Sequence, residues 1–196
     1  TRDINKAIHY YTLAADQNDL LSQYRLGLIY YEGKDIARDM NKTIHYLSLA
    51  ADQNHKDSQF KLGFIFYDGK FIKNDINKAI HYLSLASDQN HVDAQFLLGF
   101  IYQEGKFVKR DIDKAIHYYL RAADQNHSDS LYNLGIIYYE EKNNQNCINK
   151  AIHYYSLAAD QNHPDALFNL GVIYQEGKFV KRDIDKAIYY YTRASD

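Results

Sequence analysis

Asp111-Ile112-Asp113-Lys114-Ala115-Ile116-His117-Tyr118 is one of six copies of the same phrase in a chain of 196 residues. The others open at Asp3, Asp39, Asp75, Cys147 and Asp183, so neighbouring copies are always 36 residues apart. A fixed period of this length marks a stacked array, in which each unit buries its apolar face only against its neighbours. Ile112, Ala115, Ile116, Tyr119, Ala122 and Ala123 fall at i, i+3, i+4, i+7, i+10 and i+11, one stripe of an α-helix. Asp111 sits just before that stripe, where a carboxylate accepts the free amide protons of the first turn. This segment is helix B of the repeat. Upstream, Ala94, Leu98, Ile101 and Tyr102 form the stripe of helix A, with Asp93 near its start and Gly105 just past its end.

Lys106-Phe107-Val108-Lys109-Arg110 joins the two helices and is too short for another element. The pair must therefore pack antiparallel, with Phe107 and Val108 expected to fold back as an apolar plug over its end. The period predicts an all-α solenoid of antiparallel helix pairs, with eleven helices and no strand. It forms a single array: a half repeat at 1–18, then repeats at 19–54, 55–90, 91–126, 127–162 and 163–196. Gly27, Gly63, Gly99, Gly135 and Gly171 recur in the middle of helix A, each costing about 1 kcal/mol relative to Ala. Five repetitions of one cost imply a packing need: a crossing helix that admits no side chain there.

Composition narrows the class. Apolar residues make up 46% of the chain and charged residues 24%, enough to build a core. A net charge of -2 lacks the basic excess of a nucleic-acid binder, and no apolar run is long enough to insert in a membrane. Cys147 is the single cysteine, which rules out an internal disulfide and favours a reducing compartment. The chain opens on a B helix without its A helix and stops as another B helix ends. We read this as a longer array, or as ends covered by another chain, with Ile4, Ile8 and Tyr11 expected to be exposed and end-to-end association possible.

The spacing Ala94-x3-Leu98-Gly99-x2-Tyr102-x2-Gly105-x-Phe107-Val108-x2-Asp111-x3-Ala115-x2-Tyr118-Tyr119-x2-Ala122-Ala123 resembles the Sel1-like repeat, a relative of the tetratricopeptide repeat with a longer loop between its helices. Three departures recur. Phe or Asp replaces the usual second loop glycine, Tyr118 stands where Trp is common, and Asn126 follows Gln125 where Gly is usual. Asn tolerates the left-handed conformation, so the last change is expected to preserve the turn. The resemblance implies a right-handed superhelix whose A helices line a concave surface, used as an adaptor or scaffold for protein complexes.

Nine histidines invite a metal or acid-base reading, but they occupy only two positions of the frame. His9, His45, His81, His117 and His153 lie off the stripe of helix B, facing outward; His55, His91, His127 and His163 lie in the loop after it. Equivalent residues in adjacent repeats sit about 10 Å apart, too far to share a metal whose ligands lie about 2 Å away. No metal or cofactor is therefore expected. Asp124-Gln125-Asn126-His127 recurs with equal fidelity in other repeats, whereas an enzyme needs one asymmetric site. Cys147 replaces a capping Asp, and its loop, Glu141 to Asn146, loses Gly, Phe, Val and both cations. We read this as drift that leaves the loop without cap or plug and makes it the most mobile of the inter-helix loops.

Positions that escape the repetition are the candidates for a partner. On helix A one set changes type: Arg25, Lys61, Leu97, Asn133 and Asn169. A second, Leu28, Phe64, Phe100, Ile136 and Val172, stays apolar; a third is Tyr31, Tyr67, Gln103, Tyr139 and Gln175. Aromatic anchors amid varied polar groups are the anatomy of a protein interface. The chain is thus expected to be a non-enzymatic scaffold binding a protein or peptide on this face. A tetratricopeptide-type groove would instead align polar clamp residues, for which Asn133 and Asn169 are a partial match. The alternatives are the regulatory region of a larger enzyme, or a hydrolase, which would need a unique polar cluster that the sequence does not display.

Overall fold

The computed structural model describes residues 3–141 and 144–195. Among them are eleven α-helices and no strand: α1 (Ile4–Ala15), α2 (Leu20–Glu32), α3 (Met40–Asp52), α4 (Lys56–Asp68), α5 (Ile76–Asp88), α6 (Val92–Glu104), α7 (Ile112–Ala123), α8 (Ser128–Glu140), α9 (Gln145–Asp160), α10 (Pro164–Glu176) and α11 (Ile184–Ser195). The odd-numbered helices are B and the even-numbered A. They gather into two compact units, Thr1–Leu98 and Gly99–Asp196.

In the first unit α2 packs on α3 and α4 on α5. Gly27 meets Leu47 while Tyr30 stacks on Tyr46, an antiparallel register. Leu26, Leu47, Leu62 and Leu83 are wholly buried along the seam. A Cβ added to Gly63 would lie 2.6 Å from Leu83 Cγ, so the missing side chain is what lets the helices close. In the second unit α8 pairs with α9 and α10 with α11. There Tyr155, Ala158, Leu170 and Ile173 share one core cluster. Tyr118, standing where Trp is common, lies parallel to Tyr102 with centroids 5.9 Å apart, and Tyr46, Tyr82, Tyr154 and Tyr190 stack in the same way.

Each turn from B to A is closed by asparagine. Asn18, Asn54, Asn90, Asn126 and Asn162 hold φ between 58° and 67°, and the next residue donates its N–H back to the helix, as His91 does to the Ala86 carbonyl at 3.0 Å. The Asp caps of the B helices form as expected, with Asp111 Oδ1 accepting from the Lys114 N–H at 3.0 Å.

Three expectations are corrected. Phe107 is 41% exposed and Phe71 37%; Ile72, which follows Phe71, and Val180, which follows Phe179, pack on the core instead. Only one side of so short a loop can face inward. Ile8 and Tyr11 pack against Leu26 and Ala15, because α1 turns its stripe toward α2; Tyr10 and Leu13 are the exposed residues. The loop before α9 keeps a cap: Asn144 Oδ1 accepts from the Cys147 N–H at 3.0 Å, and the helix starts at Gln145. Cys147 therefore lies inside the first turn. Lys142 and Asn143, on which the mobility expectation partly rests, lie outside the described residues.

Candidate functional site: the faces of the A helices

All five histidines on the B helices are exposed. The loop histidines have a structural task that the sequence reading missed. Nδ1 of His55, His91, His127 and His163 accepts the N–H of Ser58, Ala94, Ser130 and Ala166 at 3.2–3.3 Å, capping each A helix. Asp19 does the same for α2 through Ser22 at 2.7 Å. The rings of His55, His91 and His163 also lie against an aromatic residue of the preceding A helix, as His91 does on Phe60 with centroids 4.4 Å apart, and His163 on Tyr132 at 4.6 Å. Nε2 faces a carboxylate, Asp57 for His91 at 3.5 Å and Asp129 for His163 at 3.1 Å. Burial pulls the pKa of His55 and His91 down, outweighing the neighbouring Asp57. Phe60 and Tyr132 hold the same frame position two repeats apart, with Phe96 between them; that recurrence is the signal from which the stacking could have been read.

In the first unit the candidate face is carried by α2 and α4. Arg25 is exposed; Leu28, Tyr31, Lys61, Phe64 and Tyr67 are half-buried. Lys61 Nζ lies 4.4 Å from the Tyr31 ring centre and 5.9 Å from that of Phe64. Tyr31 meets Phe71 edge-on at 6.1 Å, with the Arg38 guanidinium 3.8 Å above Phe71. Arg38 is itself fixed by donating from Nε to the Tyr31 carbonyl at 2.7 Å, and Arg110 and Arg182 close the ends of their A helices alike. Leu97 stands apart from the other candidates. Only 9% exposed, it packs into the interior and leaves a partner little to touch.

In the second unit Phe100, Gln103, Asn133, Tyr139 and Asn169 are half-buried and Gln175 is exposed. Several are tied inward. Gln103 Oε1 accepts from the Tyr119 hydroxyl and Gln175 Oε1 from that of Tyr191, both at 2.7 Å. In the first unit, where Leu47 and Leu83 replace those tyrosines, the frame carries Tyr31 and Tyr67 in place of Gln. Asn169 is half-buried in a cleft with Tyr139 and Tyr155 and works against the rise that burial gives the pKa of Tyr132 and Tyr155. Burial raises the pKa of Tyr155, keeping its hydroxyl protonated. Tyr139, Tyr155, Asn169, Val172 and Ile173 line a small cleft of about 60 Å³.

Among the described residues no group of three or more His, Cys, Asp or Glu side chains converges as a metal site would require. No described helix is long and apolar enough to cross a membrane.

The Sel1 repeat profile matches residues 1–19, 20–55, 56–91, 92–127, 128–163 and 164–196. Among solved structures, the chain is similar to c5321 of uropathogenic Escherichia coli, described as a protective antigen with an SLR fold. Identity is 29% and TM-score 0.83, over 95% of this chain and 40% of that one. A Sel1 repeat protein from Oxalobacter formigenes is 30% identical with a TM-score of 0.79, over 99% of this chain and 80% of that one. The immunity protein Pa5087 of Pseudomonas aeruginosa, 20% identical with a TM-score of 0.56 over 96% of this chain and 72% of that one, shares the fold alone. The chain thus spans less than half the length of c5321. No curated protein sequence matches it significantly.

Proposed function

Because this chain belongs to the Sel1 repeat family, whose members typically mediate interactions between proteins, we propose that it is a non-enzymatic scaffold that holds a partner protein on the faces of its A helices. One observation carries the reading. Of the candidate positions in the first unit, Arg25 is exposed and Leu28, Tyr31, Lys61, Phe64 and Tyr67 are half-buried, with Lys61 between the rings of Tyr31 and Phe64. Residues that every copy needs, such as the capping Asp and His, are occupied within the fold. Arg25 is exposed, and Leu28, Lys61 and Phe64 keep part of their surface where a partner can reach it.

The test is affinity capture with the intact chain and with a variant carrying Phe64→Ala, Tyr67→Ala, Phe100→Ala and Gln103→Ala. Partners retained by the parent are expected to be lost by the variant while its helical circular dichroism persists. An unchanged set of partners would overturn the reading.

A further inference from the structure

The repeat supplies its own control for asking which charges on the A-helix face are structural. Lys42, Lys78, Lys114 and Lys186 each hold Nζ within 4.7–5.1 Å of an A-helix ring centre, so copies throughout the chain use that cation for packing. Arg38, Arg110 and Arg182 likewise close A helices. Arg25 and Lys61 are different. Their position carries Leu97, Asn133 and Asn169 in the other repeats, so the fold does not require a cation there. Neither has a carboxylate within the 4.0 Å of an ion pair. Lys61 is half-buried on Tyr31 and Phe64, and burial lowers its pKa. The one carboxylate that counteracts this, Glu32, is paired to Lys34 at 3.5 Å. A half-desolvated cation without a counter-ion is costly unless a ligand supplies one.

We propose that the face of α2 and α4 takes an acidic segment of the partner protein, whose carboxylates meet Arg25 and Lys61 and whose apolar side chains lie on Leu28 and Phe64. This rests on the scaffold reading above and names the chemistry of the partner. The two cations stand one repeat apart, about 10 Å. An extended segment rises about 3.3 Å per residue, so carboxylates two or four residues apart on one side bracket that gap. The cation–aromatic bed favours this over a purely apolar segment: a carboxylate brought to Lys61 meets an ammonium already stripped of part of its water.

The experiment is fluorescence anisotropy with the full chain and a labelled peptide of glutamates interspersed with leucines. Its control is the same peptide with glutamine in place of glutamate. The glutamate peptide is expected to bind about tenfold tighter at low salt, an advantage that shrinks as ionic strength rises. Arg25→Asn with Lys61→Asn, the residue that the later repeats carry, is expected to abolish the difference without changing the melting temperature. Lys61→Arg is expected to retain it. Absence of binding by the glutamate peptide, equal binding of both peptides, or a double variant that still prefers glutamate would each overturn the proposal. If the double variant also keeps the partners captured by the parent chain while Phe64→Ala loses them, the acidic-segment proposal falls and the scaffold reading stands.

Discussion

A histidine that caps a helix through Nδ1 must be neutral, because protonation turns that acceptor into a donor facing another donor. His55 and His91 are held in this state by burial, which lowers their pKa from the ordinary 6.5. Above that value the folded and unfolded chains both leave these rings unprotonated. As pH falls below it the unfolded chain takes up protons first, so stability is lost with acidification. Asp57 and Asp93 work against the shift at His91, and Lys56 works with it. Urea midpoints are expected to fall between about pH 7.5 and about pH 5.5, and the slope to flatten when both residues are replaced by Asn, a neutral cap. A parent and variant with parallel profiles would contradict this.

Gly63 makes a second prediction at this scale. Ala is favoured by about 1 kcal/mol in a helix interior, but its Cβ would lie 2.6 Å from Leu83 Cγ and 3.1 Å from the Leu83 backbone nitrogen. Overpacking of this kind costs 1–3 kcal/mol, about enough to reverse the propensity gain. Gly63→Ala is expected to destabilise the chain by about 1 kcal/mol in denaturant titration. Adding Leu83→Ala is expected to remove the clash while opening a cavity nearby, so the two effects should be non-additive.

Between elements, consecutive repeats are joined by side-chain amides. Gln59, 2% exposed, donates to the Ala51 carbonyl at 3.2 Å and to Asn54 Oδ1 at 3.3 Å, and accepts from Gln89 at 2.7 Å. At the equivalent position α10 has Leu167, and there Arg193 reaches across to the Ala159 carbonyl and Asn162 Oδ1, both at 2.7 Å. Two solutions to one buried carbonyl thus coexist in the chain. Gln59→Leu is expected to cost about 1–2 kcal/mol by leaving the carbonyl and Gln89 without their partner. Leu85→Arg, at the frame position of Arg193, is expected to restore part of it. A double variant no more stable than the single one would refute the equivalence.

These elements mark how far the sequence could be read. The helices and their Asp caps followed from a period of apolar residues and one polar residue before each stripe, both local signals. The start of α9 did not, because Asn144 becomes a cap only once Cys147 is drawn into the first turn. The fate of Phe71 and Phe107 was equally hidden: a five-residue loop has two sides, and the choice of the inner one is made by the neighbouring helix. Asn169 looked like a surface residue by its variability, yet it stands half-buried in a cleft beside Tyr155. Variation between copies thus mixes two causes, and only contacts separate them.

Across the molecule, sameness and difference are sorted by depth. The capping Asp, the turn Asn and the loop His recur and make hydrogen bonds within the fold, whereas Arg25 and Lys61 do not recur, and Lys61 rests only on the Tyr31 and Phe64 rings. Within the first unit the amide ladder has a further property: its acceptors lie at a constant offset from its donors. Gln53 meets Gln23 at 2.7 Å and Gln89 meets Gln59 at 2.7 Å, thirty residues back in each case. An unequal crossover in the gene that removes residues 19–54 would set Gln59 against Asn18 and Ala15, the same chemistry it meets now in Asn54 and Ala51. Such an exchange costs the His55 ring its contact with Tyr24 but leaves every amide bond across the joint with an equivalent partner, so a whole repeat can be lost without a new hydrogen bond having to be found.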